Sequence, residues 1–242
     1  MLMKRTVALV CLFASLAYAA VEMPAASHIK GLQWLGHASF RLERGGKIIY
    51  WDPWQLGSEP HDADWVLITH PHFDHLSAED VKRISKPETV IVTVADCMEK
   101  LKEAGIAGEI RVVKPGDLLQ ERGIRVQAVP AYNLNKDFHP KEKQWVGFVV
   151  EVDGEKIYHA GDTDFIPEMR EIKADVALLP VSGTYVMTAE EAAEAAKAMN
   201  PGVAVPMHYG AVVGTKADAD RFRTLCGGVI VEILEKDKES GS

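Results

Sequence analysis

Cysteine is scarce in this chain, and its scarcity excludes several kinds of thiol chemistry. The sequence has 242 residues and three cysteines, and only Cys97 and Cys226 lie beyond the N-terminal segment. Neither belongs to a CxxC pair or lies near the histidine cluster described below, which argues against a redox dithiol or a thiolate metal site. We expect two buried thiols, with a single disulfide in an oxidising compartment as the alternative.

The chain also lacks long apolar runs beyond its N-terminus and lacks an excess of basic residues. No later segment approaches the roughly 20 apolar residues that span a bilayer. The formal charge is -8, and phosphate neutralisation by Lys and Arg dominates nucleic-acid affinity. We therefore expect a small-molecule substrate, no nucleic-acid partner and no stable membrane insertion, and the sequence leaves the oligomeric state undetermined.

The apolar run at the N-terminus has the order of a secretory signal peptide. Lys4 and Arg5 precede an apolar stretch over residues 6–16, and Ala17 and Ala19 are small residues at the outer positions of a cleavage site. The stretch is too short to span a membrane comfortably. The sequence therefore predicts a signal peptide over residues 1–19, cleaved near Ala19, and a secreted or periplasmic protein.

The rest of the chain fits a single domain, predicted over residues 28–234, with a frayed tail over 235–242. The predicted strands are 29–35, 39–44, 47–51, 63–69, 89–94, 109–113, 124–130, 146–152, 155–159, 175–180, 203–207 and 229–233. The predicted helices are 77–84, with Ser77 as N-cap and Asp80 as its capping partner, 95–104, 188–199 and 216–225. Strand meanders followed by strand–helix alternation predict an α/β fold, a four-layer αββα sandwich of two similar halves.

Histidine, in contrast, is concentrated in one place. The stretch "HPHFDH" at residues 70–75 holds three of the nine histidines and one aspartate. Side chains alternate in an extended loop, so His70 and His72 can bind one ion while Asp74 and His75 face a neighbouring position. Imidazole nitrogens and carboxylate oxygens suit zinc, iron or manganese. The alternative is a polar loop that happens to be rich in histidine.

Further ligands must come from other strand ends, and three residues are candidates. Asp162 follows the strand at 155–159 across a glycine, and His208 follows the strand at 203–207. His139 lies in the long polar loop over residues 131–144, and long ordered loops in compact domains are usually functional. The alternatives are a turn-forming aspartate and two surface histidines.

Several motifs together resemble a known family. "WLGHASF", "YWDP", "THPHFDHLS", "YHAGDTD" and "AVPMHYG" occur in this order. They resemble the metallo-β-lactamase superfamily, in its branch of predicted metal-dependent zinc hydrolases similar to L-ascorbate-6-phosphate lactonase and N-acyl-phosphatidylethanolamine phospholipase D. The resemblance extends from residue 31 to about residue 233 and includes "PAYNLNKDFHPKEKQWVGF" and "PVSGTYVMTAEEAAE".

The resemblance implies two divalent metal ions, zinc above all, with manganese, iron or nickel as alternatives. It assigns His70, His72 and a third histidine to the first ion. It assigns Asp74, His75 and His208 to the second ion, with Asp162 bridging the two. Much of the superfamily carries the third histidine directly after the strand at 124–130, where this chain has Tyr132 and Asn133. His139 is then the expected substitute, with Asn133 or His159 as alternatives.

Two neighbouring divalent ions would share a water and lower its pKa from 15.7 toward roughly 7. The resulting hydroxide would attack an ester, lactone, amide or phosphodiester, and Asp74 could orient it or take its proton. Among supporting residues, Asp52 could orient a ligand histidine, and His37 could point into the cleft. Lys136, with its neighbours Lys141 and Lys143, could meet an anionic group, and Tyr209 could line the pocket. For each of these the alternative is an ordinary turn, surface or core role.

Two other classes of function remain as alternatives on the same scaffold. One is an iron-dependent redox enzyme, but the oxygen-reducing diiron branch resembles HxExD at the first motif, whereas this chain has HxHxDH. The other is a non-catalytic metal-binding protein, in which some of the expected metal-ligand residues should be missing.

Overall fold

The computed structural model describes residues 25–106 and 108–237. The predicted signal peptide therefore lies outside the described residues, as do residues 238–242 of the predicted tail. No helix within the described ranges is both long enough and apolar enough to cross a bilayer.

Two six-stranded mixed sheets form the centre of the fold. The first has the order β1-β2-β3-β4-β5-β6 and the second has the order β12-β11-β10-β9-β8-β7. The first sheet consists of β1 (Leu32–Gly36), β2 (Ser39–Arg44), β3 (Lys47–Trp51), β4 (Ala63–Leu67), β5 (Ser85–Thr93) and β6 (Glu109–Val112). The second consists of β7 (Leu118–Glu121), β8 (Ile124–Pro130), β9 (Val146–Val152), β10 (Glu155–His159), β11 (Val176–Pro180) and β12 (Val203–Met207).

Five helices accompany these sheets in the described part of the chain. They are α1 (Ala25–His28), α2 (Ala78–Ile84), α3 (Met98–Glu103), α4 (Ala189–Met199) and α5 (Lys216–Leu225). Short 3-10 turns occupy Ala95–Cys97, Lys141–Lys143 and Pro167–Glu171. The α4 helix begins at a capping box in which Thr188 and Glu191 bond each other's backbone N–H groups. The predicted α/β sandwich of two mixed sheets with helices is confirmed.

The two halves repeat one strand pattern, which explains why functional loops meet at one edge of each sheet. In each sheet an antiparallel meander leads into parallel strands. As a result β1, β3 and β4 run in one direction in the first sheet, and β8, β10, β11 and β12 run in one direction in the second. The carboxyl ends of parallel strands share an edge, where open α/β sheets commonly bind ligands.

The structure corrects three local expectations. Residues 229–233 do not form a regular strand, because Val231 makes only an isolated bridge to Ala204. Strand β7 has no counterpart in the predicted set. Ser77 caps α2 as expected, but the Asp80 carboxylate accepts hydrogen bonds from the backbone N–H groups of Gln55 and Leu56.

The end of the described chain is attached to the first sheet. Lys236 forms a parallel bridge with Trp34, and the Asp237 N–H donates to the Trp34 carbonyl at 2.9 Å. These two residues belong to the segment for which the sequence predicts a frayed tail. The expectation of buried thiols is confirmed, because Cys97 and Cys226 are both buried and unpaired.

Candidate metal centre

Every predicted metal ligand follows the carboxyl end of a strand. The histidine-rich loop follows β4, His139 lies in the loop between β8 and β9, Asp162 follows β10, and His208 follows β12 directly. Hydrogen bonds between the loops join the edges of the two sheets. The His208 N–H donates to the His37 carbonyl at 2.9 Å, and the Val146 N–H donates to the Thr69 carbonyl at 3.4 Å. Residues far apart in sequence therefore converge at a single place.

Two groups of potential metal-ligating side chains form at this place. Within each group, one nitrogen or oxygen from every residue lies within 4.8 Å of the others. The first group is His70, His72, His139 and Asp162, and the second group is His37, Asp74, His75 and His208. All seven predicted metal-binding residues are thus brought together, and His37 joins them.

The Asp162 carboxylate lies between the two groups. Its Oδ2 atom is 3.2 Å from His139 Nε2 and 3.1 Å from His208 Nε2. Its Oδ1 atom is 3.2 Å from His75 Nε2. Gly161, at a φ of +62°, makes the preceding turn possible, because a side chain there would lie 2.9 Å from the Val146 carbonyl.

Unsatisfied buried atoms support a cation at this position. His75 Nε2, His139 Nε2, His208 Nε2 and Asp162 Oδ1 are all buried and make no hydrogen bond of acceptable geometry with the described residues. Buried polar atoms are rarely left unsatisfied without a reason. A set of nitrogen and oxygen lone pairs pointing toward a common place is the donor set that zinc and related divalent ions take. The residues therefore fit the metal that the sequence predicts.

The Asp52 carboxylate orients histidines of both groups. Its Oδ2 atom accepts from His75 Nδ1 at 2.7 Å and from the Thr69 hydroxyl at 2.7 Å. The Thr69 oxygen in turn lies 2.9 Å from His70 Nδ1 and is free to accept that proton. His75 Nε2 is thereby left without a partner and free for an ion, and His70 Nε2 faces His72 Nδ1 at 3.1 Å within the first group. Orienting a ligand histidine from behind is the usual role of such a carboxylate.

His139 and His208 are held in the same way by other groups. Asn133 Oδ1 accepts from His139 Nδ1 and from the His139 N–H, both at 3.0 Å. Ser182 Oγ lies 3.0 Å from His208 Nδ1. Asn133 thus supports His139 rather than replacing it. The other alternative, His159, uses Nε2 with the Ala38 carbonyl and Nδ1 with the Gly161 N–H, so neither nitrogen is free.

The loop that carries His139 is fixed by the buried Asp164. This carboxylate accepts from the Asn133 amide, from the Leu134 N–H and from Lys136 Nζ, the last at 2.5 Å. Lys136 therefore anchors the loop through its ion pair with Asp164. Lys141 pairs with Glu168, and Lys143 pairs with Asp96.

Aromatic side chains enclose both groups. The Trp145 ring packs against His70, His72 and His139, with ring centroids 5.1, 4.9 and 5.6 Å away. Tyr209 is buried and packs on Trp34 at 4.8 Å. Tyr209 also lines a small cleft beside the second group together with His37, Trp54, Ala211 and Lys236.

The two carboxylates of the site and His37 have charge states that favour bound cations. Burial opposes charge on Asp162, but the His208 and His75 imidazoles outweigh it and hold its pKa well below the usual range. Burial likewise opposes charge on Asp74, but a hydrogen bond from His37 and the charge of His75 lower its pKa to about 2. Burial lowers the pKa of His37 to about 4. Anionic carboxylates and a neutral imidazole are the forms that bind metal ions.

Three residues of the site have strained backbones. His37, Asp52 and His208 have φ values of 51°, 42° and 61°. This left-handed region is uncommon for residues other than glycine and costs on the order of 1 kcal/mol or more per residue. Such strain is concentrated at functional sites in proteins.

Four supporting residues have no part in the sequence-based expectations. Thr69 directly precedes the histidine motif, and its position after a strand could have drawn attention to it. Ser182, Trp145 and Asp164 give no comparable local signal, because their roles depend on contacts with distant segments.

Two mixed six-stranded sheets with two groups of potential metal ligands at their joined edge are the architecture of the metallo-β-lactamase fold. The chain belongs to the β-lactamase superfamily domain family, whose model matches residues 31–208.

Individual relatives agree with this assignment. A metal-dependent hydrolase from Thermoplasma acidophilum is 38% identical over 219 residues, which cover 85% of this chain and 95% of the relative. The crystal structure of a metal-dependent hydrolase from Parabacteroides distasonis has a TM-score of 0.73 and 32% identity, and the match covers 85% of this chain and 93% of that one. A metallo hydrolase from Ignicoccus hospitalis has a TM-score of 0.70 and 27% identity, covering 86% and 95% of the two chains.

Proposed function

We propose that the protein holds two divalent metal ions, zinc foremost, and hydrolyses an ester, lactone or phosphodiester bond of a small substrate. The observation that carries the proposal is the position of Asp162. Its two carboxylate oxygens lie within 3.2 Å of histidine nitrogens from both groups. A shared carboxylate between two ligand sets suits a pair of neighbouring ions.

The proposed ligands divide between the two ions. His70, His72 and His139 would hold the first, Asp74, His75 and His208 would hold the second, and Asp162 would be shared between them. His139 is supported as the third histidine because its Nε2 is free and its Nδ1 is bonded to Asn133. Bound divalent ions would supply Lewis acidity, which lowers the pKa of water and stabilises negative charge on an oxygen in the transition state.

His37 and Asp74 act together in this proposal. His37 Nε2 lies 2.9 Å from Asp74 Oδ2, and both side chains are buried. When the imidazole is neutral and carries its proton on Nε2, it donates to Asp74 and fixes the direction of the carboxylate. Asp74 is then positioned to orient a water molecule or to accept its proton, as a general base requires.

Metal analysis combined with turnover tests the proposal. Purified protein should contain about two zinc ions per chain and hydrolyse at least one member of a panel of phosphodiesters, lactones, carboxylic esters and β-lactams. His139→Ala should lower the metal content and the activity. The matched control is His61→Ala, because His61 is exposed, belongs to neither group, and its ring Nδ1 bonds the Ser85 carbonyl. Unchanged metal content in His139→Ala would remove His139 from the ligand set.

Two outcomes would favour other functions. Iron with visible absorption, together with oxygen consumption, would support a redox enzyme on this scaffold. Metal binding without turnover under any tested metal, including manganese, iron and nickel, would support a non-catalytic metal-binding protein.

The cellular location is part of the proposal. We infer export to the periplasm or outside the cell from the charged, apolar and small-residue order of residues 1–19. The intact mass of protein recovered from the extracellular or periplasmic fraction should correspond to a chain cleaved near Ala19. Full-length protein confined to the cytoplasm would contradict export without affecting the hydrolase proposal.

A further inference from the structure

Large apolar side chains are exposed beside the candidate metal centre. Among the described residues, seven large hydrophobic side chains are exposed, and four of them lie on loops that carry proposed ligands. These four, here called the apolar rim, are Phe73 (61% exposed), Leu134 (51%), Phe138 (48%) and Val212 (38%). Exposed apolar groups that cluster around a site mark binding surfaces more often than isolated ones do.

The two aromatic residues of the rim are held in place. Phe73 packs edge-on against Trp54, with ring centroids 6.0 Å apart, and Trp54 contacts His37 at 5.4 Å. Phe138 packs edge-on against Tyr185 at 4.6 Å. The rim is therefore continuous with the second group through Trp54, and Phe138 directly precedes His139 of the first group.

The cleft beside the second group is too small to hold an extended substrate. The cleft lined by His37, Trp54 and Tyr209 has a volume of about 40 Å³. A water molecule needs roughly 10–15 Å³ of such volume, so the cleft accepts a group of only a few atoms. A substrate that places its reacting bond at this cleft has to leave its other atoms on the surrounding surface, and that surface includes Phe73 of the rim, which packs on Trp54.

Charge and position favour a substrate as the occupant of the rim. The acidic chain, with a formal charge of -8, is poorly suited to the anionic membrane surfaces that attract basic proteins. A second copy seated on the rim would cover loops that a substrate must pass to reach the ions.

We propose that the rim binds an apolar acyl or aryl group of the substrate, attached next to the bond that is hydrolysed. This inference rests on the proposed hydrolase function and narrows its substrate class to amphiphilic molecules. Each methylene that the rim covers should strengthen binding by up to about fourfold, the effect of burying one such group.

Equilibrium binding tests the inference without turnover. Calorimetry would compare acetate and octanoate on the zinc-loaded full chain, because both carboxylates can meet the ions and differ only in the apolar tail. We expect octanoate to bind at least about tenfold more tightly, as several partly covered methylenes would give. The double variant Phe73→Ser, Phe138→Ser should lose most of that preference.

A matched control is available on the same chain. Leu118 and Ile230 are 48% and 51% exposed but do not lie on the loops that carry the ligands. The double variant Leu118→Ser, Ile230→Ser should keep the wild-type preference for octanoate. Equal binding of the two carboxylates by the wild type, or the same loss in both double variants, would overturn the inference.

Turnover measurements distinguish a failure of the rim proposal from a failure of the hydrolase proposal on which it rests. The rates with p-nitrophenyl acetate, butyrate and octanoate should rise with chain length in the wild type and level off in the rim variant. Hydrolysis with no dependence on chain length would overturn the inference and leave the hydrolase standing. A rim-dependent preference for octanoate with no hydrolysis of any ester or other panel member would support the rim and contradict the hydrolase.

A membrane or a second copy of the chain bound at the rim would give different experimental results. Co-sedimentation with phosphatidylcholine vesicles, or a dimer at micromolar concentration, would have to be measured for the wild type and the rim variant. If either is present in the wild type and abolished by the rim substitutions, the rim is a membrane or subunit contact and the inference is wrong.

Discussion

Asp52 Oδ2 accepts a hydrogen bond from His75 Nδ1 at 2.7 Å, and both side chains are fully buried. The same oxygen accepts from Thr69, whose hydroxyl lies beside His70 Nδ1. One carboxylate thus sets the direction of a histidine in each of the two metal-ligating groups. The supports of the two groups are therefore coupled, although Asp52 itself belongs to neither.

Asp52→Asn should weaken both metal positions together. The amide has the shape of the carboxylate but cannot accept from Thr69 and His75 as strongly, so both imidazoles lose their fixed orientation. Loss of such a supporting carboxylate typically costs about 10–100-fold in metal affinity. Competition with a chromogenic chelator measures both ions. Asp62→Asn is the control, because Asp62 pairs with Arg41 at the opposite end of β4, and loss of a single ion in Asp52→Asn would contradict the coupling.

His159→Phe should change stability and leave metal content unchanged. Phenylalanine keeps the ring that packs near Trp51, but it removes the partners of the Ala38 carbonyl and the Gly161 N–H. Leaving buried polar groups unsatisfied costs about 1–3 kcal/mol each. Urea unfolding and metal analysis report the two effects separately. A selective loss of metal in the folded variant would return His159 to the ligand set.

Lys136→Met should loosen the loop over residues 131–144. Asp164 would stay buried without its cationic partner while keeping its bonds from Asn133 and Leu134, which predicts a loss of about 1–3 kcal/mol in the free energy of unfolding. Limited proteolysis should cut this loop faster than in wild type. Lys143→Met is the control, because the Lys143 pair with Asp96 is largely exposed. Equal cleavage rates in both variants would show that Lys136 is not an anchor.

Metal-free protein should become less stable as the pH falls from 7 toward 4. Burial lowers the pKa of His37 to about 4 and also lowers the pKa values of His70, His72 and His159. Below pH 6.5 the unfolded chain binds protons that these folded imidazoles exclude, so the free energy of unfolding decreases. His37 alone is worth about 3 kcal/mol over this window.

The contribution of His75 to stability has the opposite dependence on pH. Burial opposes its protonation, but the charges of Asp162 and Asp52 outweigh burial and raise its pKa well above 6.5. Its contribution is therefore present at low pH and is lost as the pH rises through the folded pKa. Because four of these histidine pKa values are lowered and one is raised, we expect the free energy of unfolding to decrease as the pH falls. Urea unfolding of chelator-treated protein at pH 7, 6 and 5 measures it, and greater stability at pH 5 than at pH 7 would contradict it.

Cys97 and Cys226 should both resist thiol reagents in the folded protein. Burial raises the pKa of Cys97 to about 12 and the pKa of Cys226 to about 11. Since the thiolate is the reactive form, a chromogenic disulfide reagent at pH 8 should label neither cysteine before denaturation and both after it. Rapid labelling of Cys97 or Cys226 in native protein, located by peptide mass analysis, would contradict this expectation.

Most of the proposed ligand positions carry a local signal in the sequence. The motif over residues 70–75 and the strand-end positions of Asp162 and His208 are visible without any tertiary contact. Their ability to converge then follows from the parallel strands, whose carboxyl ends share an edge. His37 is less visible, because its entry into the second group depends on the pairing of its carbonyl with the distant His208.

The other differences between the sequence-based expectations and the structure also arise from contacts between distant segments. Lys136 is locally indistinguishable from a substrate-binding lysine, and only the folded chain brings Asp164 against it. Strand β7 exists through its pairing with β8, whereas residues 229–233 have strand-like composition but reach β12 only through contacts with Ala204. Local composition shows which segments favour a strand, but a strand forms only where a neighbouring strand is available for pairing.

The left-handed backbones of His37, Asp52 and His208 have a consequence for protein engineering. At such positions glycine relieves strain that any other residue carries, so substitutions that remove these side chains also remove a local cost. A screen that rewards only thermal stability of the metal-free chain would therefore place little weight on His208, whose Nε2 has no hydrogen-bond partner among the described residues. It would still retain Asp52, because its loss leaves Thr69 and His75 without a buried acceptor at a cost of about 1–3 kcal/mol each. Selection for stabilised variants should accordingly be carried out with metal bound, so that the ions themselves penalise the loss of each side chain.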